Sequence, residues 1–254
     1  MTAVDSASHQ SFRDHFSGHS RSYACYRPTY PESLFAFLAD CCAERRLAWD
    51  CATGNGQAAR ALIRYFERVL ATDASEAQIR AAESHPDIEF LVARAEATRL
   101  ADNSTDLITV AQALHWFDIT DFFDEAHRVL VPGGVLAVWS YERCFVSVAC
   151  DALIKELYAD IIGPYWPPQR RLVEDGYRGI ELPMPSIAPP EFTMKIDWTA
   201  QEMLGYLRTW SASQRYLADR GSDPVSLIED RLNAAWGEGT REVSWPLNVK
   251  IGRV

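Results

Sequence analysis

The stretch LAWDCATGNGQAARALIRYF, residues 47–66, joins an apolar run to a helix-forming one through an acid and two close glycines. Leu47-Ala48-Trp49 reads as a short apolar strand ending at Asp50. Gly54 and Gly56 bracket Asn55. Glycines so close together serve a backbone that takes φ > 0 or passes very near another molecule. From Gln57 onward the residues favour a helix, with Ala58, Ala61, Leu62 and Phe66 on one side. An ordinary strand-to-helix turn would have the same composition, so the meaning of the turn depends on its neighbours.

Working outward, strands and helices alternate. RVLATDAS is a second strand ending in Asp73, EAQIRAAES a helix, IEFLVAR a third strand and DLITVAQAL a fourth. DITDFFDEAHRVL carries Ile119, Phe122, Phe123, Ala126, Val129 and Leu130 at helical spacing, and Pro132-Gly133-Gly134 stops it before a fifth strand, GVLAVWS. Alternation over the first 140 residues predicts a mostly parallel, doubly wound α/β sheet with helices on both faces.

The second half reads differently. VSVACDALIKELYADIIG is a helix closed by Gly163-Pro164, whereas residues 165–192, rich in Pro and aromatic side chains, resist a regular assignment. EFTMKIDW is a strand, Thr199 to Glu202 form a capping box for the next helix, and Asp223-Pro224 opens another. EVSWPLNVKI alternates Val243, Trp245, Leu247, Val249 and Ile251 with period two and predicts one last strand. Pro246 sits awkwardly inside it, since proline removes a ladder donor, and a bulge is expected there. The organisation expected is one domain of 254 residues: an N-terminal segment 1–32, a core 33–140, a helical and loop insertion 141–236 with one strand, and a final strand 237–254.

Composition narrows the partners. The chain is 48% hydrophobic and 24% charged, as in ordinary globular proteins, and its net charge of −10 argues against a nucleic-acid groove or an anionic membrane surface. No segment reaches the roughly 18 uninterrupted apolar residues of a membrane helix, and the N-terminus carries no apolar targeting run. Cys25, Cys41, Cys42, Cys51, Cys144 and Cys150 show neither a C-x-x-C nor a metal-ligand spacing, so free thiols in a reducing compartment are expected. These readings predict a cytoplasmic, metal-free protein with no nucleic-acid or membrane partner; a monomer or homodimer is expected.

In a parallel sheet, ligands sit at the carboxyl ends of the strands, where the connections change direction. Asp50 and the glycine turn lie there, and Asp73 ends the second strand about 20 residues later, where a carboxylate can accept both hydroxyls of a ribose. The turn is not G-x-G-x-x-G. An acid two residues before Ala52 would repel a pyrophosphate on the helix N-terminus, whereas it would attract an ammonium and a sulfonium.

With RAEATRLADNSTDLITVAQALHWF and AHRVLVPGGVLAV following, the chain resembles the class I S-adenosylmethionine-dependent methyltransferases. It looks like their small-molecule branch, which includes trans-aconitate methyltransferase-like proteins. FSGHSRSYACYRPTYP is similar to that branch's N-terminal lid and YLRTWSASQRY to its C-terminal portion. The resemblance implies a seven-stranded sheet whose last strand runs antiparallel beside the fifth. It also implies S-adenosylmethionine as cofactor, S-adenosylhomocysteine as product and no metal.

Roles follow residue by residue. Asp50, Ala52, Thr53, Gly54 and Gly56 would face the methionine half of the cofactor, with Tyr23 and Arg27 of the lid beside it. Asp73 would hold the ribose, with Ala74 beside the adenine, Ala95 and Glu96 at its polar edge, and Gln112 to His115 beneath the methyl. Ala52 departs from the usual first glycine, which implies a wider turn or a φ that alanine tolerates. Arg94 stands where relatives often carry an acid, leaving Glu96 or backbone groups to read the adenine.

Trp116, Tyr165, Trp166 and Trp210 are candidates for an aromatic acceptor pocket. Arg27 is the first candidate to hold an acceptor anion, with Arg170 and Arg171 next. The reaction expected is in-line methyl transfer to a small molecule. A carboxylate oxygen would need no base; a phenol, alcohol or ring nitrogen would need His115 as one. A non-catalytic cofactor-binding protein and a nicotinamide-dependent oxidoreductase are the alternatives from other classes.

Overall fold

A computed structural model describes residues 28–254. The helix α1 (Glu32–Cys41) precedes β1 (Leu47–Cys51), α2 (Gln57–Leu62), β2 (Arg68–Asp73), α3 (Glu76–Ala81), β3 (Ile88–Val92), β4 (Thr105–Ala111), α4 (Ile119–Val129) and β5 (Leu130–Ser140). The main sheet runs β3-β2-β1-β4-β5-β9-β6, where β6 is Ser186–Ile187 and β9 is Asn248–Arg253. Strands β1 to β5 are mutually parallel, and β9 lies antiparallel against β5. The seven-stranded, doubly wound sheet with an antiparallel last strand is therefore present.

Both faces of the sheet are covered, which explains why its strands read as nearly continuous apolar runs. Ala48, Val69, Ala71, Leu107, Val135, Ala137 and Trp139 point to the side packed by Leu34, Phe35 and Leu38 of α1 and Leu62 of α2. Their neighbours Trp49, Cys51, Leu70, Ile108, Val110, Leu136 and Val138 point to the other side, against Phe122, Ala126 and Val129 of α4. Strand order reverses between β1 and β4: the chain leaves β1 toward β2 and β3, then returns to pair β4 with β1's other edge. A crevice opens at the carboxyl ends of strands where such a reversal occurs.

Beyond β5 lie α5 (Val148–Lys155), extended by a π-helical turn at Glu156–Ile161, then α6 (Arg170–Glu174), β6, β7 (Thr193–Trp198), α7 (Ala200–Arg208), α8 (Ser211–Arg220), α9 (Glu229–Trp236) and β8 (Arg241–Pro246). Thr199 and Glu202 make the reciprocal capping box at the start of α7. Strands β7 and β8 form a separate antiparallel pair, and Trp198, Tyr206, Trp210, Trp236 and Trp245 build a second core around it.

Three sequence-based boundaries are corrected here. The expected single last strand is two strands in two sheets: β8 ends at Pro246, and after Leu247 the chain enters the main sheet as β9. Pro246 is thus the terminal residue of an edge pair, where its missing N–H costs no ladder bond, and no bulge is needed. The insertion holds two strands rather than one, because the irregular stretch after Tyr165 conceals α6 and the two-residue β6. Pro132-Gly133-Gly134 lies inside β5, whose pairing with β4 shifts register between Thr105 and Leu107. A Cβ on Gly134 would stand 2.8 Å from the Val131 carbonyl oxygen, so the closeness of the backbones there requires glycine.

Candidate active site

A cleft opens over the carboxyl ends of β1, β2 and β4. Its lining includes Ala52, Thr53, Gly54, Asp73, Ala74, Ala95, Glu96, Gln112, His115, Trp116 and Tyr141. The opposite wall comes from the second core's side and includes Pro168, Gln169, Met194, Lys195 and Arg215.

Three residues of the turn after β1 take left-handed backbone: Ala52 at φ 56°, Gly54 at 58° and Gly56 at 87°. Gly56 also allows a close approach, since a Cβ there would stand 2.9 Å from the Phe90 ring. Asp50 does not face the cleft, contrary to the expectation. It is fully buried; Oδ2 accepts the Thr53 hydroxyl at 2.5 Å and the Ala59 N–H at 3.1 Å, and Oδ1 accepts the Thr109 hydroxyl at 2.9 Å. Its carboxylate ties the turn to α2 and β4 from behind. Burial raises its pKa to about 6, although the bonds from Thr53, Thr109 and Ala59 pull the other way.

Asp73 lies where the sequence places it. Its carboxylate accepts the Gly54 N–H at 2.9 Å and the Ser75 N–H at 2.8 Å, which fixes its orientation at the cleft and joins the first turn to the second. Further along, the loop after β3 is anchored on α4. Glu125 accepts the Thr98 N–H and hydroxyl at 2.7 and 2.6 Å, while Arg128 holds Glu125 and donates to the Leu100 carbonyl at 2.9 Å. This anchoring sets Ala95 and Glu96 at the cleft's edge. Glu96 accepts the Asp118 N–H at 3.1 Å and pairs with Arg94 at 3.2 Å.

Gln112 lines the cleft, but its side-chain amide bridges to the Tyr141 backbone, donating at 2.8 Å and accepting at 2.9 Å. Its role is to extend the β4–β5 ladder rather than to offer its amide to a ligand. His115 is buried, its ring lies tilted at 4.7 Å from that of Trp116, and its Nδ1 lies 2.8 Å from the Tyr177 hydroxyl. Burial, aided by the charge of Arg170, lowers its pKa to about 3. A histidine so hard to protonate is a poor general base.

Of the aromatic candidates, Trp116 lines the cleft; Tyr165, Trp166 and Trp210 are not among its lining residues. Trp166 donates to the Tyr158 carbonyl at 3.1 Å and packs at 5.7 Å on the buried Trp210, while Tyr165 bonds Asp219 at 2.6 Å. These side chains complete the second core and its surface. Arg170 stacks 4.9 Å over Trp166 and reaches Tyr158 at 3.0 Å; Arg171 is exposed. Tyr23, Arg27 and most of the expected lid lie outside the described residues. Cys41, Cys42, Cys51, Cys144 and Cys150 are free thiols.

Sequence reading missed Tyr177 and Thr109. The signal for Tyr177 was the Asp175-Gly176 turn dipeptide: Gly176 and Tyr177 take φ 58° and 55°, which swings the Tyr177 ring beneath His115.

A seven-stranded sheet of this order, with a left-handed turn after β1 and a carboxylate at the end of β2, defines a class I methyltransferase architecture. The chain belongs to the S-adenosylmethionine-dependent methyltransferase family. A family model described as a methyltransferase domain matches residues 49–138. A Dictyostelium discoideum protein named as a methyltransferase is 33% identical over 229 residues, covering 89% of this chain and 87% of that one. A Saccharomyces cerevisiae protein named as an S-adenosylmethionine-dependent methyltransferase is 24% identical, covering 81% and 83%. The solved structure of an Anaeromyxobacter dehalogenans protein described as a type II methyltransferase superposes with a TM-score of 0.84. It is 41% identical and covers 89% of this chain and 97% of its own.

The residues present fit S-adenosylmethionine. The turn offers backbone rather than side chains to the cleft, and the Asp73 carboxylate, oriented by the Gly54 and Ser75 N–H groups, lines it where it would meet a ribose diol. The side of the cleft beyond Glu96 is small and apolar at Ala93 and Ala95. No helix among the described residues is long and apolar enough to cross a membrane.

Proposed function

We propose that this methyltransferase acts on a small anionic metabolite and methylates a carboxylate oxygen. The observation that carries the reading is the buried His115 on the cleft wall, with burial as the main influence on its ring and the charge of Arg170, which does not itself line the cleft, as the second. The cleft end beyond β4 presents a histidine that stays neutral, in the field of a guanidinium. A phenol, alcohol or protonated amine would need a base there; a carboxylate needs none and is attracted by the positive charge.

S-adenosylmethionine would supply a methyl on a sulfonium, and a carboxylate oxygen in line with it would form the O–C bond as the C–S electron pair returned to sulfur. No proton has to leave. The chain's own contribution is positional. Asp73 would hold the ribose diol, the 52–56 turn would seat the methionine half, and Ala95 and Glu96 would border the adenine. His115, Trp116 and Tyr141 shape the acceptor end. Alignment of two bound reactants in a water-poor site is worth up to about 7–11 kcal/mol of barrier. The wall opposite the cofactor turn brings Lys195 and Arg215 to the cleft, two further positive charges in keeping with an anionic acceptor.

The test is a screen of purified protein with mono-, di- and tricarboxylates, trans-aconitate included, beside phenols and heterocyclic amines, following S-adenosylhomocysteine. Turnover confined to carboxylates, with an ester product, supports the reading; turnover confined to phenols or amines overturns it.

A further inference from the structure

We infer that Tyr177 locks His115 in the tautomer carrying its proton on Nε2, and so turns this histidine into a hydrogen-bond donor for the acceptor's carboxylate. Three observations carry it. The Tyr177 hydroxyl lies 2.8 Å from His115 Nδ1, and the tyrosine is buried away from the cleft that His115 lines. Burial holds the Tyr177 phenol proton well above its usual range, so the hydroxyl stays protonated beside the ring. A phenol is a stronger donor than acceptor and a neutral imidazole nitrogen a strong acceptor, so the phenol gives its proton to the bond and Nδ1 is the acceptor within reach. A neutral imidazole that accepts at one nitrogen must carry its proton on the other.

The backbone supports the same assignment. Tyr177 holds φ 55°, an uncommon conformation for a bulky residue, and the Tyr177 N–H bonds the Leu172 carbonyl at 2.9 Å to stabilise it. Next to it, Gly176 abuts Asn248 so closely that a Cβ would stand 2.8 Å from the Asn248 amide. The turn is thus pinned by α6 on one side and β9 on the other, with the ring as its product. Nδ1 is spent on Tyr177, so the nitrogen left for the cleft is Nε2. The charge felt by both members of this pair is that of Arg170, which opposes a second proton on the ring and favours an anion beside it. Tyr177 is a positioning residue; His115 is the group that meets the acceptor.

The inference rests on the reading that the acceptor binds at this end of the cleft, and the test separates the two. Nitrogen-15 spectra of histidine-labelled full chain, with His115 assigned by its loss in His115→Gln, report the tautomer without any turnover. Nδ1 should resonate as an unprotonated nitrogen and Nε2 as an N–H from pH 5 to 8, and Tyr177→Phe should shift both toward a tautomer mixture. A protonated Nδ1 in the parent protein overturns the lock.

With S-adenosylhomocysteine bound, millimolar acetate and trans-aconitate are the carboxylate probes. Displacement of the Nε2–H resonance by either supports the donor role, and no displacement by both overturns it. His115→Leu should weaken the responding probe roughly 10-fold and His115→Gln, which keeps an N–H, less than 3-fold. Equal losses in the two variants overturn the donor role, since a filler of space would lose the same in both. Failure of every carboxylate in the turnover screen, with the tautomer intact, would instead remove the proposed acceptor.

Discussion

Gln112 and Tyr141 hold each other through a closed pair of hydrogen bonds, the Gln112 side-chain amide donating to the Tyr141 carbonyl at 2.8 Å and accepting its N–H at 2.9 Å. Gln112 takes φ 57°, and its own N–H bonds the Trp139 carbonyl at 2.8 Å. The side chain therefore acts as one more rung of the β4–β5 ladder after the strands have parted. Gln112→Glu keeps the acceptor but sets an oxygen against the Tyr141 carbonyl. We expect a loss of about 1–3 kcal/mol in urea unfolding and reduced turnover, because Tyr141 lines the cleft. Full stability in Gln112→Glu would mean that the paired bonds hold nothing.

Asp50 should give the protein an unusual pH signature. Its pKa in the folded chain is about 6, above the ordinary 3.8, so the folded state binds a proton more tightly than the unfolded chain. Its contribution is fully present below about pH 4 and is lost as pH rises through 6. The shift is worth about 3 kcal/mol at most. Asp50→Asn removes it, so the stability of the parent relative to Asp50→Asn should fall by up to that amount between pH 4 and 7. Taking the difference cancels carboxylates such as Glu125 and Glu202, whose lowered pKa values slope the other way. A difference that stays constant over this range would sink the idea.

Asp73 joins two turns while it faces the cleft. Asp73→Ala should weaken S-adenosylmethionine by roughly 10- to 100-fold, since bonds to a charged acceptor are worth about 1.5–3 kcal/mol each. It also frees the N–H groups of Gly54 and Ser75, so the turn itself loosens. Asp73→Asn retains one acceptor oxygen and should fall between. Calorimetric titration of the three proteins checks the order, and equal affinities would remove Asp73 from the cofactor site.

These residues divide according to how local their signals are. The turn after β1, Asp73 and the capping box at Thr199 were legible because each is encoded within a few residues of chain. Asp50 was found, yet its direction was not. An acid ending a strand looks the same in sequence whether it faces a ligand or, as here, the hydroxyl of Thr109 on another strand. The aromatic residues misled for a similar reason. Trp166 and Trp210 have the composition of a ligand pocket, and which surface they line depends on packing against Tyr158 and Tyr206. The break at Pro246 was visible, but period-two alternation runs on through it because β8 and β9 are both strands. Two-residue β6 carries no periodicity at all and becomes a strand only through its pairing with β9.

Ala52 opens the turn at φ 56°, where a Cβ crowds the following carbonyl at a cost of about 1–2 kcal/mol. Glycine would relieve that strain but would give the unfolded chain more freedom, worth roughly 0.5–1 kcal/mol against folding. The two effects leave a small net gain. Ala52→Gly should raise Tm by up to about 2–4 °C for a domain of this size, while changing S-adenosylmethionine affinity little. Ala52→Val tests the same backbone from the other side. A β-branched side chain in left-handed backbone is a genuine outlier, so the turn would have to move. Because the Thr53 N–H bonds the Thr72 carbonyl at 2.9 Å, any movement is transmitted to the end of β2 beside Asp73. Ala52→Val should therefore lose cofactor affinity more steeply than it loses stability, as calorimetry beside urea unfolding would show. A glycine variant less stable than the parent would mean that the left-handed alanine carries no strain.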